Sequence, residues 1–309
     1  MTTRAPEAGS AAGIPAPAVR HQQLIVTLFG LYCREPGTAL PVAALVALLG
    51  DLGYDAPGVR SAVSRLKAKG VLRSTRAGGV AAYELSESLQ TVFAEGDQRI
   101  FAERREDGEH DWLLALFSVP EAQRHLRHKL RSVLSGLGFG TVTAGVWIAS
   151  AGVAERARER LRIQGLDQFV EFFRGDYLFE GDVQAKIATW WDLESIDALI
   201  GEFLDVYAGA DRVWEERLGT AGGAAGAAGR VHAGRVDAET CREAFRCYVP
   251  MLTLWRRLPY RDPDLPLEYL PDGWREPEAR RTFSRTHQLL APLAERHARS
   301  IIDGGTASV

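Results

Sequence analysis

The chain has 309 residues, 46% of them hydrophobic and 25% charged, with a formal net charge of -3. That length suits two or three domains with ordinary cores, and the balance is that of a globular protein. It excludes a uniformly basic polyanion binder, so any attraction to nucleic acid must be local. Three cysteines (Cys33, Cys241, Cys247) without a C-x-x-C exclude a disulfide framework, and no apolar run approaches the roughly 20 residues that span a bilayer. A reducing, cytoplasmic setting is expected.

Residues 1–20 are rich in Ala, Pro and Gly and lack a continuous apolar stretch. They read as a disordered tail, not a secretory signal. A helix is expected over "HQQLIVTLFGLYC", where Leu24, Leu28 and Leu31 recur at helical spacing. After the turn "EPGTAL", "PVAALVALLGDLG" reads as a second helix with Pro41 in its first turn. The third starts at Asp55, a plausible N-cap, and ends before Gly70. "VLRSTR" and "VAAYEL" alternate as two strands around Gly78 and Gly79, a pair suited to a tight hairpin. Residues 21–88 thus have the element order of a winged helix-turn-helix. Residues 89–109 read as a connecting helix.

Residues 110–189 change character. "DWLLALFSVP" reads as a strand and "EAQRHLRHKLRSVLSGLG" as a helix closed by glycine. "FGTVTAGVWIAS" reads as two strands, "GVAERARERLRIQG" as a helix and "DQFVEFFRGDYL" as a strand. That order, βαββαβ, is the ferredoxin-like plan. Residues 190–303 read as a helical C-terminal domain, interrupted by the low-complexity insertion "GTAGGAAGAAGR" at 219–230. The expected class is α+β.

Charge singles out the first domain. Positions 20–85 hold eight Lys and Arg against four Asp and Glu, so this segment is at +4 and the remainder at -7. On the third helix, Val59, Ala62, Val63 and Leu66 make one buried face. Arg60, Ser61, Ser64, Arg65 and Lys67 lie away from it. Arginine can grip guanine O6 and N7 bidentately, and serine can donate to a base or phosphate. Arg73 and Arg76, on the first hairpin strand, are placed near the tip to touch phosphates or the minor groove. These seven residues are the candidate DNA contacts.

With these segments in view, the chain resembles the PaaX family of bacterial transcriptional regulators. The resemblance rests on "LIVTLFGLYCREPG", "GVRSAVSRLKAKGVL", "DWLLALFSVPEAQRHLRHKLRSVLSGLGFGTVTAGVWIAS" and "LWRRLPYRDPDLPLEYLPDGWREPEAR", in that order. It implies a winged-helix domain, a ferredoxin-like domain and a helical domain. It also implies a homodimeric repressor of an aromatic-acid catabolic operon that loses DNA affinity on binding phenylacetyl-CoA or a related acyl-CoA; for a dimer reading two half-sites, an imperfect palindrome is the expected target. The insertion at 219–230 departs from the family pattern without touching these blocks.

The stretch from Leu254 to Trp274 is the candidate effector site. It combines Trp255, Tyr260, Tyr269 and Trp274 with Arg256, Arg257 and Arg261, the aromatic wall and arginine forks that an aryl-acyl-CoA requires. The alternative is that these residues only pin a long loop.

Catalytic and metal constellations are not expected. The middle domain looks similar to the ferredoxin-like fold of the CRISPR-associated small nucleases, and Ser118 falls at about the point where those place a metal-binding acid; serine is a poor ligand for a hard cation. His125 and His128 lack further ligands nearby, and Cys241 and Cys247 do not make a zinc pattern. A regulator with another effector, or none, and a metal-dependent nuclease are the alternatives.

Overall fold

The computed structural model describes residues 14, 17, 19–35, 37–101, 111–178, 181–221 and 236–304. Most of the expected tail, residues 102–109 of the connecting segment and residues 222–230 of the Gly/Ala stretch lie outside these. The chain divides into two units. One draws on residues 1–101, 202–256 and 278–309, the other on residues 102–201 and 257–277. Segment 190–303, expected as one helical domain, contributes to both.

The first unit opens with α1 (His21–Tyr32), β1 (Leu40–Pro41), α2 (Val42–Asp51) and α3 (Ala56–Ala68). The hairpin β2 (Leu72–Ala77) and β3 (Val80–Leu85) follows, then α4 (Glu87–Ile100). Leu24, Ile25, Leu28 and Phe29 of α1 are buried with Leu45, Leu48 and Leu49 of α2 and with the apolar face of α3. Gly53 ends α2 at φ +84°, a conformation that costs glycine little.

One expectation is corrected here. Pro41 is not in the first turn of α2. Its backbone is extended, and it pairs with Ala82 as Leu40 pairs with Tyr83, adding a third strand to the hairpin. A two-residue strand has too few positions to show alternation, so the sequence could not announce it.

The second unit contains β4 (Trp112–Phe117), α5 (His125–Gly136), β5 (Gly140–Thr143), β6 (Val146–Ser150), α6 (Ala154–Ile163), β7 (Val170–Gly175) and the short α7 (Val183–Ile187). The sheet order is β5-β6-β4-β7 and every neighbouring pair is antiparallel. One sheet face buries Leu113 and Ala115 against Leu130 and Leu134 of α5 and Ala157 and Leu161 of α6.

Trp191 closes the β5 edge. Its indole N–H donates to the Gly138 carbonyl at 3.0 Å, and the Thr141 N–H donates to the Trp190 carbonyl at 2.9 Å. A Cβ on Gly140 would stand 2.6 Å from the Trp191 ring. That ring is buried and tethered, so it cannot move aside. Gly140→Ala is expected to cost about 1–3 kcal/mol in a chemical melt. Gly136→Ala, in a helix and meeting nothing within 4 Å, is the control without a clash and should be neutral or stabilising by up to about 1 kcal/mol.

The remaining helices are α8 (Leu193–Tyr207), α9 (Ala210–Ala221), α10 (Ala238–Trp255) and α11 (Glu276–Gly304). The helical run expected from Leu193 onward breaks at Gly209, which takes φ +78°. In the first unit α10 lies against α1, where the hydroxyls of Thr27 and Thr253 meet at 2.8 Å. Among the described residues, no helix is long and apolar enough to cross a membrane.

Candidate nucleic-acid interface

Asp55 caps α3 as expected, accepting from the Gly58 N–H at 3.4 Å. Val59, Ala62, Val63 and Leu66 are buried. At 100° per residue, the crest opposite that face is Pro57, Ser61, Ser64 and Ala68. All four are exposed. Arg60 lies on one side of this crest and Arg65 on the other, and both are exposed. A crest of small side chains lets the helix axis come close to a facing surface, while the flanking arginines can reach past it.

The candidates differ in how they are held. Arg65 Nη1 donates to the Ser61 hydroxyl at 2.7 Å, one turn back. Lys67 Nζ sits 5.7 Å from the centre of the Tyr83 ring on β3. Among the described residues, Arg60 and Ser64 make no side-chain hydrogen bond or ion pair. Arg76 lies beside the hairpin tip and donates to the Gly79 carbonyl at 3.4 Å. Gly78 and Gly79 both take positive φ, +56° and +87°, as a two-residue hairpin turn requires.

Arg73 is not at the tip. The two-residue turn sets the register that places Arg73 opposite Glu84, at the far end of the hairpin. There it pairs with Glu84 at 3.3 Å and Glu87 at 3.4 Å. An odd separation along a strand also puts Arg73 and Arg76 on opposite faces. This register follows from Gly78 and Gly79 as the two residues of the turn.

The effector candidates are divided between the two units. Trp255 is wholly buried in the first unit. Its indole N–H donates to the Ile100 carbonyl at 2.9 Å, and its ring stacks on Phe283 with centroids 4.6 Å apart. Arg256 donates to the Gln23 carbonyl at 3.2 Å. Near them, the His287 ring packs on Phe283, and its Nδ1 shares a hydrogen bond with the Tyr248 hydroxyl at 2.9 Å. Burial pushes the histidine's pKa down and the tyrosine's up.

The second unit holds Arg257, Tyr260, Arg261 and Trp274. Arg261 is exposed, and its Nη1 lies 3.4 Å from the Ser195 hydroxyl. The Trp274 indole nitrogen is buried without a hydrogen-bond partner among the described residues. Tyr269 packs on Trp112 at 5.6 Å.

Other reactive groups are held inertly. Cys33, Cys241 and Cys247 are buried free thiols. Burial pushes Cys33 and Cys247 up to about 12, and Cys241 upward too, so the nucleophilic thiolate is disfavoured. Among the described residues, no three of His, Cys, Asp and Glu converge as metal ligands.

Three family models match the chain: PaaX-like protein over residues 20–89, PaaX protein central Cas2-like domain over 105–187, and PaaX-like protein C-terminal domain over 191–300. The chain is similar to the transcriptional repressor PaaX of Escherichia coli (strain K12). The two are 23% identical over 284 residues, covering 91% of this chain and 84% of that protein. Among solved structures it is similar to the uncharacterized protein Rv0674 from Mycobacterium tuberculosis, at 18% identity and a TM-score of 0.45, covering 91% of this chain and 97% of that one. With family models matching in order along nearly the whole described chain, the protein belongs to the PaaX family.

Proposed function

We propose that the protein is a transcriptional repressor whose N-terminal segment is a winged helix-turn-helix that reads duplex DNA. The observation that carries this reading is the crest of α3. Pro57, Ser61, Ser64 and Ala68 are small enough to let the helix seat in a major groove about 12 Å wide. Arg60 and Arg65 then reach base edges from either side. Arg76 and Lys67 are assigned to phosphates. Arg73, held by two carboxylates, is assigned a smaller share. The similar Escherichia coli protein, a transcriptional repressor by its name, supports the same reading.

The second unit is assigned to the ferredoxin-like plan and to dimerisation, so that two copies of α3 meet two half-sites of an imperfect palindrome. The effector is assigned as an aryl-acyl-CoA such as phenylacetyl-CoA. Arg257, Arg261, Tyr260 and Trp274 are its candidate contacts. Arginine forks suit its phosphates, and the unpaired Trp274 N–H offers a donor. Release of DNA requires the effector to favour the unbound conformation by several kcal/mol, on the order of 3–5.

Mobility shifts on the DNA upstream of the regulated operon test the reading. Arg60→Ala or Arg65→Ala is expected to weaken operator binding by about 1–3 kcal/mol and to relax sequence preference. Arg76→Ala should weaken all sequences alike. If the Arg60 and Arg65 variants shift the operator as the wild type does, α3 is not the reading helix. Titration calorimetry with a panel of aryl-acyl-CoA thioesters should give heat with a thioester and none with the free acid. No heat across the panel removes this effector class.

A further inference from the structure

Positive charge is not confined to α3 and its hairpin. Positions 122–166 carry eight Arg and Lys against two Glu, and between 122 and 154 there is no Asp or Glu at all. This segment lies in the second unit and includes both helices that cover its sheet.

The two helices place their charge differently. In α6, Glu155 stands in the first turn and Arg160 and Arg162 in the last. That is the order which the helix dipole favours, so helix stability alone accounts for it. Its Glu159 also pairs with Arg162 at 2.7 Å. In α5 the order is reversed. Its first turn has no acid, and Arg124, Arg127 and Lys129 crowd the positive end of the dipole. The helix dipole does not account for that arrangement, and of the three only Arg127 and Lys129, which donates to the Gln164 carbonyl at 3.3 Å, have contacts that hold the fold. The arrangement adds the cationic side chains to the field of the helix N-terminus, where anions are attracted.

The side chains also define a face. With Leu126, Leu130, Val133, Leu134 and Leu137 turned to the core, the opposite crest is Arg124, His128, Arg131 and Ser135. All four are exposed, as is the flanking Lys129. Arg127 is otherwise engaged, pairing with Glu121 at 2.8 Å and donating to the Val119 carbonyl at 2.9 Å. Arg124 and Arg131 form no ion pair among the described residues.

We infer that the outer face of α5 is a sequence-independent contact for the phosphate backbone of duplex DNA. The contrast with α3 favours phosphate over base readout. The α3 crest is small and admits close approach to a groove. The α5 crest carries two long cations, Arg124 and Arg131, with Lys129 at its flank, and these would hold a groove floor away and meet the backbone instead. The inference rests on the regulator reading and extends it to a second surface.

The test uses the full-length protein and a fluorescent 40-base-pair duplex of random sequence, with anisotropy read from 50 to 200 mM KCl. Each phosphate neutralised contributes a slope of about -0.9 to log K against log salt. Arg124→Ala/Lys129→Ala/Arg131→Ala is expected to make the slope shallower by about 2–3. The milder Arg131→Gln should change it by about 1. Circular dichroism reports that both variants stay folded. Arg60→Ala/Arg65→Ala, run in parallel, reports the other surface. If the wild type binds and the triple variant keeps its affinity and slope, the inference is overturned and the regulator reading stands. If the variants change only the sedimentation behaviour, the face serves a protein contact and the inference is again overturned. If the wild type binds no duplex at 50 mM, both readings fail.

Discussion

Replacing Trp255 with alanine is expected to destabilise the protein by about 3–5 kcal/mol, the cost of removing a large aromatic side chain from a packed interior. Trp255 is 0% exposed. It stacks on Phe283, lies 5.3 Å from Phe203, and takes up the Ile100 carbonyl. The substitution opens a cavity among rigid rings and leaves that carbonyl without its donor. Trp255→Phe keeps most of the volume and loses the hydrogen bond, so it should cost less. Urea denaturation reads both through the midpoint at constant slope. The result also decides a question of function. A tryptophan acting as the aryl wall of an effector site would lose ligand affinity on truncation with little change in stability. Its environment argues for a core role, and a midpoint unchanged in Trp255→Ala would overturn that.

Asp51→Ala is expected to cost about 2–3 kcal/mol. The Asp51 carboxylate, 14% exposed, accepts from Arg242 Nε at 2.9 Å and faces His297 Nε2 at 2.8 Å. An acid at the C-terminal end of α2 is unfavourable to that helix's dipole. Its partners on α10 and α11 are what keep it there. Removing one member of a buried pair usually costs 3–5 kcal/mol, and Arg242 is 44% exposed, so water recovers part of the loss. Asp51→Asn retains acceptor geometry and should fall between wild type and Ala. The same melts measure it, and a midpoint within error of the wild type would mean that these contacts contribute nothing net. Because α2 immediately precedes α3, loss of this tie is also expected to lower operator affinity, read by mobility shift.

The elements show where reading by pattern succeeds. The buried face of α3, its Asp55 cap and the Gly78–Gly79 turn depend on residues at most a few positions apart. Spacing within one helix turn or one hairpin determines them. The same holds for the strands and helices from β4 to β7, whose apolar positions alternate or recur at the helical period. The placement of Arg73 is also written in the sequence, through the register of a two-residue turn, because a strand's residues are fixed by the ladder they form with their partner strand and not by their own charge. The short β1 left no such trace.

The candidate sites divide along the same line. Which residues of α3 and α5 face outward follows from where their apolar residues fall, so the small crest of one and the cationic crest of the other are properties of sequence. The fates of Trp255 and Asp51 are not. A tryptophan beside two arginines and a proline-rich loop has the composition of a ligand site. Only the packing of α4 and α11 around it makes it part of the core. Asp51 meets partners 191 and 246 residues away, a distance over which no periodicity carries information. By itself the sequence determined the helices, the hairpin and the faces they expose, because these depend on neighbours along the chain. The tertiary structure decided which aromatic and charged side chains are consumed in holding the fold and which stay free to meet a partner, because that depends on burial by segments remote in sequence.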